Sequence, residues 1–181
     1  MTQFPMPSAP IPAAPTPPAF TASDPEFEAR VRDSFARQPF METMGAFLDQ
    51  VAPGRAAVVL PFGPHVTQQH GFFHGGAIGA IADTAGGYAA FTLFPAQSTV
   101  LTVEYKINIM APGKGERLIA VGEVLRTGRT LTIVRVDVFA EAGGALTLCA
   151  SGTQTLMRLD GRSDTKVGDT KSPDTTAGAA A

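Results

Sequence analysis

The sequence predicts an α+β domain in which one curled antiparallel sheet wraps a single long central helix, with a short helix in front. Three observations lead there. Residues 75–94 form one mostly apolar stretch that Pro95 stops, and a helix apolar on most of its surface has to be covered. Four strand-like segments follow, joined by short turns, which means antiparallel pairing. Residues 100–110 alternate without exception between apolar and polar side chains, the period of a strand. A sheet curling around one buried helix is the simplest way to cover both.

Each element has its own local reason. Ser23-Asp24-Pro25-Glu26 opens a helix: Ser or Asp can cap it, Pro25 suits the first turn, and Glu26 and Glu28 favour its positive end. Phe27, Val31 and Phe35 then make one apolar stripe, and Pro39 is expected to end it. Strands are expected near residues 44–51 and 55–61, around the turn Ala52-Pro53-Gly54. In the central helix, Ile78, Ile81, Ala85 and Tyr88 mark one face. In the segment 100–110, Leu101, Val103, Tyr105, Ile107 and Ile109 are expected on one face and Thr102, Glu104, Lys106 and Asn108 on the other. Further strands are expected at about 117–125, 130–140 and 145–157, with residues 126–129 and 141–144 as hairpin turns. This is the layout of a hot-dog fold.

The ends differ from this body. Residues 1–20 hold seven of the 15 prolines, a composition that favours extended conformers and cannot fill a core. Residues 160–181 contain one large aliphatic side chain, Val167, and no aromatic. Both are expected to be disordered tails around a single domain at 21–159. No secretion signal is legible at the start, which lacks a basic opening and an unbroken apolar run, so a cytoplasmic protein is expected. With 14 basic and 16 acidic residues, the chain lacks the cationic excess of a nucleic-acid binder. The longest weakly charged stretch is broken by Gly and polar residues, which argues against a membrane span. A single cysteine, Cys149, excludes an intrachain disulfide and any multi-cysteine zinc site. It lies in an alternating segment, as a small buried residue would.

Between Ala56 and Val103 the only formally charged residue is Asp83, in the middle of the apolar helix. A buried carboxylate has to be hydrogen-bonded, protonated or paired. Its neighbours one turn away, Gly79, Ala80, Gly86 and Gly87, leave a thin surface that another chain or a ligand can approach. Asp83 therefore reads either as a structural residue bonded to a strand or partner helix, or as a reacting group. All three histidines, His65, His70 and His74, fall upstream within ten residues. They straddle a loop without an adjacent carboxylate, so no metal site is expected. His74-Gly75-Gly76 begins the helix instead, and free N–H groups there can hold an oxygen as negative charge develops on it. Eight residues, about 12 Å, separate Gly75 from Asp83. One helix cannot bring both to the same carbonyl, whereas two antiparallel helices from two subunits can. A dimer with shared sites is expected if the chain is an enzyme.

The stretches HGGAIGAIADTAGGYAA and VEYKINIMAP resemble the PaaI-like, phenylacetate-type acyl-CoA thioesterases of the hot-dog superfamily, and the resemblance covers roughly residues 40–158. It implies hydrolysis of acyl-CoA without a metal or bound cofactor, by a dimer that usually pairs into a tetramer. It places the catalytic acid, nucleophile or general base, on Asp83. The oxyanion donor falls on the N–H of Gly75 beside His74, and the residue that positions water on Thr102. Gln68 stands where many members carry Asn; its amide can still donate but with a different reach. No GxSxG elbow is present, and an activated thioester needs no Ser-His-Asp triad. For substrate, the acyl pocket is expected from Phe72, Phe73, Gly76, Ile78 and Tyr88, the four large side chains alternatively being plain core. Arg126 and Arg129, with donors from Gly128 and Thr130, are expected to meet the CoA phosphates or, alternatively, to be a solvated hairpin. Two rival readings stay open. A hot-dog dehydratase or hydratase would pair Asp83 with a histidine such as His74. A non-catalytic acyl-CoA-binding module would leave the buried charge without a task.

Overall fold

The structure, a computed structural model, describes residues 19–162. The chain runs α1 (Phe27–Ala36), α2 (Pro39–Met44), β1 (Phe47–Ala52), β2 (Arg55–Pro61), a 3-10 turn (Pro64–Val66), α3 (Gly75–Phe91), β3 (Ser98–Ile109), β4 (Arg117–Thr127), β5 (Leu131–Ala142) and β6 (Ala145–Asp160). The six strands form one sheet in the order β1-β2-β4-β5-β6-β3, every neighbouring pair antiparallel. It curls around α3, which packs on β2, β3, β4 and β5. Ile78, Ile81, Ala85 and Phe91 of α3 are fully buried, as are Val58, Leu60, Leu118, Val134 and Val136 of the strands facing them.

Two close approaches seat the helix. A Cβ on Gly122 of β4 would lie 2.5 Å from the Ala85 carbonyl oxygen, so only glycine lets the strand come this near. Gly86 is filled from outside by Gln154, whose Nε2 donates to the Ala82 carbonyl at 3.0 Å. At the far end of α3, Arg30 of α1 donates to the Phe94 carbonyl oxygen at 2.7 Å, lies over the Phe91 ring, and pairs with buried Asp24 at 2.9 Å. A cation at a helix C-terminus meets the negative end of the dipole, and this contact docks α1 on α3.

Four expectations about the elements change. Pro39 does not simply end a helix. It occupies the first position of α2, where its missing N–H is no loss. Consequently the first strand starts at Phe47 rather than near residue 44. The central helix stops at Phe91 instead of 94, because the hydroxyl of Thr92 turns back to the Ala89 carbonyl and accepts the Gly54 N–H. Phe20, assigned to the N-terminal tail, packs partly buried against the core beside Gly54. Residues 1–18 and 163–181, the remainder of both expected tails apart from Ala19 and residues 160–162, lie outside the described residues.

The largest correction concerns β3. It is an edge strand, bonded among the described residues only to β6, and its pairing slips between Thr102 and Glu104, leaving Val103 as an extra residue. Such a bulge breaks the two-residue alternation and re-aims a side chain. Tyr105, Ile107 and Ile109 sit opposite Gln154, Gly152 and Ala150, on the face toward α3. Strict alternation would turn Thr102 away from the helix. With the bulge, Thr102 sits opposite buried Leu156 and faces α3 as well.

Candidate active site

The N-terminus of α3 is built by its own cap. The Nδ1 of His74 accepts from the Gly76 N–H at 2.8 Å, which puts the ring's proton on Nε2. The N–H groups of Ala77 and Ile78 reach the His74 carbonyl. The Gly75 N–H, first in the helix, has no hydrogen-bond partner among the described residues. The preceding loop is pinned by His74 N–H to the Val66 carbonyl and by Phe73 N–H to the Gly113 carbonyl, both 2.9 Å. A cleft of about 310 Å³ opens beside this terminus, walled by Phe40, Met44, Val66 and Ala77, with His65, Thr67, His74 and Gly76 at its polar edge.

Two turns along the same helix, Asp83 opens on a second cleft of about 240 Å³, lined by Gln38, Thr84, Gly87, Tyr88, Val100, Leu101 and Thr102. The Thr102 hydroxyl donates to Asp83 Oδ1 at 2.8 Å. Burial pushes the Asp83 carboxyl above its ordinary 3.8, and the Thr102 hydrogen bond partly offsets that rise. Burial disfavours the charged form, whereas a donor aimed at the carboxylate favours it. On the other wall, Gln38 Nε2 donates to the Tyr88 hydroxyl at 2.8 Å, and Ser34 bonds the same oxygen at 3.0 Å. α2 bridges the two clefts: Gln38 precedes it in the Asp83 cleft, while Phe40 and Met44 line the other.

Thus one chain carries a free backbone donor and a carboxylate with raised proton affinity on one helix, in two separate clefts. The thioesterase superfamily profile matches residues 70–147, which contain both clefts' helix. A thioesterase family protein from Silicibacter pomeroyi is 45% identical, with a TM-score of 0.73 over 75% of this chain and 99% of that one. The chain belongs to the thioesterase superfamily. It is a thioester hydrolase. A candidate esterase of Saccharolobus solfataricus is 37% identical over 105 residues, 58% of this chain and 74% of that protein. The PaaI protein from the phenylacetic acid degradation operon of E. coli, 17% identical, shares the fold with a TM-score of 0.67 over 76% of this chain and 96% of that one.

In this thioesterase, Asp83 and Thr102 meet, and His74, Gly75 and Gly76 form one terminus. Tyr88 lines the Asp83 cleft as well, and the other expected site residues scatter. Gln68 sits in the loop, its Oε1 accepting the His70 N–H, so only its Nε2 remains to donate. Phe73 is buried and packs edge-on against Phe62 at 5.3 Å, and Ile78 lies in the core; neither lines a cleft. Phe72 is half-buried and also lines neither. Arg126 and Arg129 are exposed and make no ion pair among the described residues. Their hairpin lies at the Thr102 end of the sheet, since Thr102 and Thr132 both pair with Leu156, but β6 stands between. The Gly128 N–H closes the hairpin on the Leu131 carbonyl at 2.8 Å and is not available to a phosphate. The Thr130 hydroxyl stays exposed. Among the described residues no three His, Cys, Asp or Glu side chains converge as metal ligands. No described helix is long and apolar enough to cross a membrane.

Sequence reasoning missed Gln38, Phe40, Met44, His65 and Thr67 as lining residues. The available signal was the spacing of Met41 and Met44, one helical turn apart just after Pro39.

Proposed function

We propose that the protein hydrolyses acyl-CoA thioesters at a site completed by two copies of the chain. One observation carries this: the free Gly75 N–H and Asp83 sit about 12 Å apart on one rigid helix. A single reacting carbonyl cannot touch both unless a second α3 lies antiparallel to the first. The Gly75 N–H of one copy then holds the thioester oxygen as it gains negative charge. The Asp83 carboxylate of the other either attacks the carbonyl carbon or takes a proton from the attacking water. In the first route CoA leaves as the C–S bond breaks and water then hydrolyses the acyl–aspartyl anhydride; in the second, water adds directly and CoA leaves, so both end with free acid and CoA. Thr102 holds Asp83 in place and favours its ionised form against the effect of burial. Arg126 and Arg129 supply unpaired cations for the CoA phosphates.

The edge strand supports the pairing. Leu101, Val103, Tyr105 and Ile109 of β3 are 50%, 55%, 49% and 51% exposed, and an apolar strand with an open ladder is a template for another chain. Leu131, Leu146 and Leu148, exposed on the outer face of β5 and β6, give such dimers a surface on which to pair again.

The test is thiol release from a panel of acyl-CoAs. Wild-type protein is expected to turn over, and Asp83→Asn to lose at least ~100-fold. Gly75→Pro, which removes the donor N–H at a position that tolerates proline, is expected to be equally poor. Refolded together, the two variants should regain about a quarter of wild-type activity, since half the dimers are mixed and each holds one intact site. No recovery from folded mixed dimers sinks the shared site.

A further inference from the structure

We infer that Gly87 sets the upper size of the acyl group this enzyme accepts, a reading that rests on the proposed function. A glycine in a helix interior costs stability, so it calls for a steric reason. Gly86 has one inside the chain, since a Cβ there would collide with Gln154, and a Cβ at Gly79 would make an ordinary contact with the Tyr105 hydroxyl. At Gly87 an added Cβ would meet nothing within 4 Å. The space it would enter is the cleft of Asp83, one turn away on the same face.

Gln38 and Thr84 line that space together with Val100, Leu101 and Thr102 of β3. Polar groups gather where a carbonyl would react, at Asp83 and Thr102, while Gly87, Val100 and Leu101 offer apolar or side-chain-free surface beyond them. At about 240 Å³ the cleft exceeds the ~150 Å³ that holds a benzene in an engineered cavity. The class of substrate is therefore an acyl group up to the bulk of an aryl ring or a comparable branched chain, with its far end over Gly87.

Gly87→Ala and Gly87→Leu, made in the full-length protein, test this against acetyl-, butyryl-, benzoyl- and phenylacetyl-CoA. Gly87→Ala is expected to unfold about 2–4 °C higher than wild type, because no described residue opposes the methyl group. In Gly87→Leu, kcat/KM for the bulkiest accepted substrate should fall about tenfold or more relative to the smallest, with an unchanged oligomer by size exclusion. If Gly87→Leu does not fold, Gly87→Val makes the same comparison. An unshifted selectivity overturns the inference. So does dissociation of the oligomer or a lowered melting temperature in Gly87→Ala, since either assigns Gly87 to a contact between copies. Wild-type protein that turns over none of the panel removes the acyl-CoA reading itself, whereas wild-type turnover with unshifted selectivity removes only the role of Gly87.

Discussion

Two opposing influences act on the proton of Asp83. Burial raises its pKa above 3.8, and the Thr102 hydroxyl lowers it. In the proposed reaction the carboxylate must be ionised, so kcat/KM should rise with pH through an acid limb lying above the ordinary aspartate range. Thr102→Val keeps the shape and removes the donor. Its acid limb should move to higher pH and its plateau fall about tenfold, as expected for losing a hydrogen bond to a charged group. The stability consequence has the opposite sign to that of a salt-bridged carboxylate. Because the folded chain holds the Asp83 proton more tightly than the unfolded one, stability falls as pH rises from the ordinary value through the folded one. Melting curves of Asp83→Asn across that range should lack this slope, and an unchanged slope would reassign the proton. Asp83 was legible in the sequence because it is a lone charge in an apolar helix. Its bond to Thr102 was not legible from alternation, which placed Thr102 on the face opposite Tyr105.

At the scale of elements, the bulge at Val103 is what brings Thr102 to the helix, and nothing in a perfectly alternating segment announces it. The same limit explains α2. Proline disfavours helix in the residue before it and favours helix in the residues after it, so Pro39 reads equally well as an end or a beginning. Taking it as an end hid a helix whose residues wall one cleft and whose approach walls the other. The longer elements were legible because periodicity accumulates over many residues: β2, β4, β5, β6 and the start of α3 fall within a few residues of expectation. The docking of α1 rests instead on one side chain. Arg30→Ala removes the cation from the end of α3 and leaves Asp24 buried without its partner. Denaturant unfolding should show a loss of about 3 kcal/mol, whereas a loss under ~0.5 kcal/mol would place the docking energy in the apolar stripe of Val31 and Phe35.

The whole molecule poses the question of what covers β3. In the proposed dimer this edge is where the second copy joins, so activity depends on assembly even though Asp83 and Gly75 are intact in each chain. Val103→Lys combined with Met110→Lys puts charge on two exposed positions at this edge. Sedimentation should then show a smaller species, and thiol release at low protein concentration should drop at least ~10-fold, recovering as concentration rises. A full-sized, fully active variant would place the interface elsewhere. Assembly was legible only indirectly, through the distance between two groups on one helix; the exposure of β3 required the sheet order, which a single sequence does not reveal. That order carries a consequence for biosynthesis. β3 leaves the ribosome before β4 and β5, yet its only strand partner among the described residues is β6, the last of the six to be made. At ~5–20 residues per second, this apolar edge waits for some seconds with both of its sides unpaired. Nascent chains stalled after β5 should therefore recruit holdase chaperones far more strongly than chains stalled after β6.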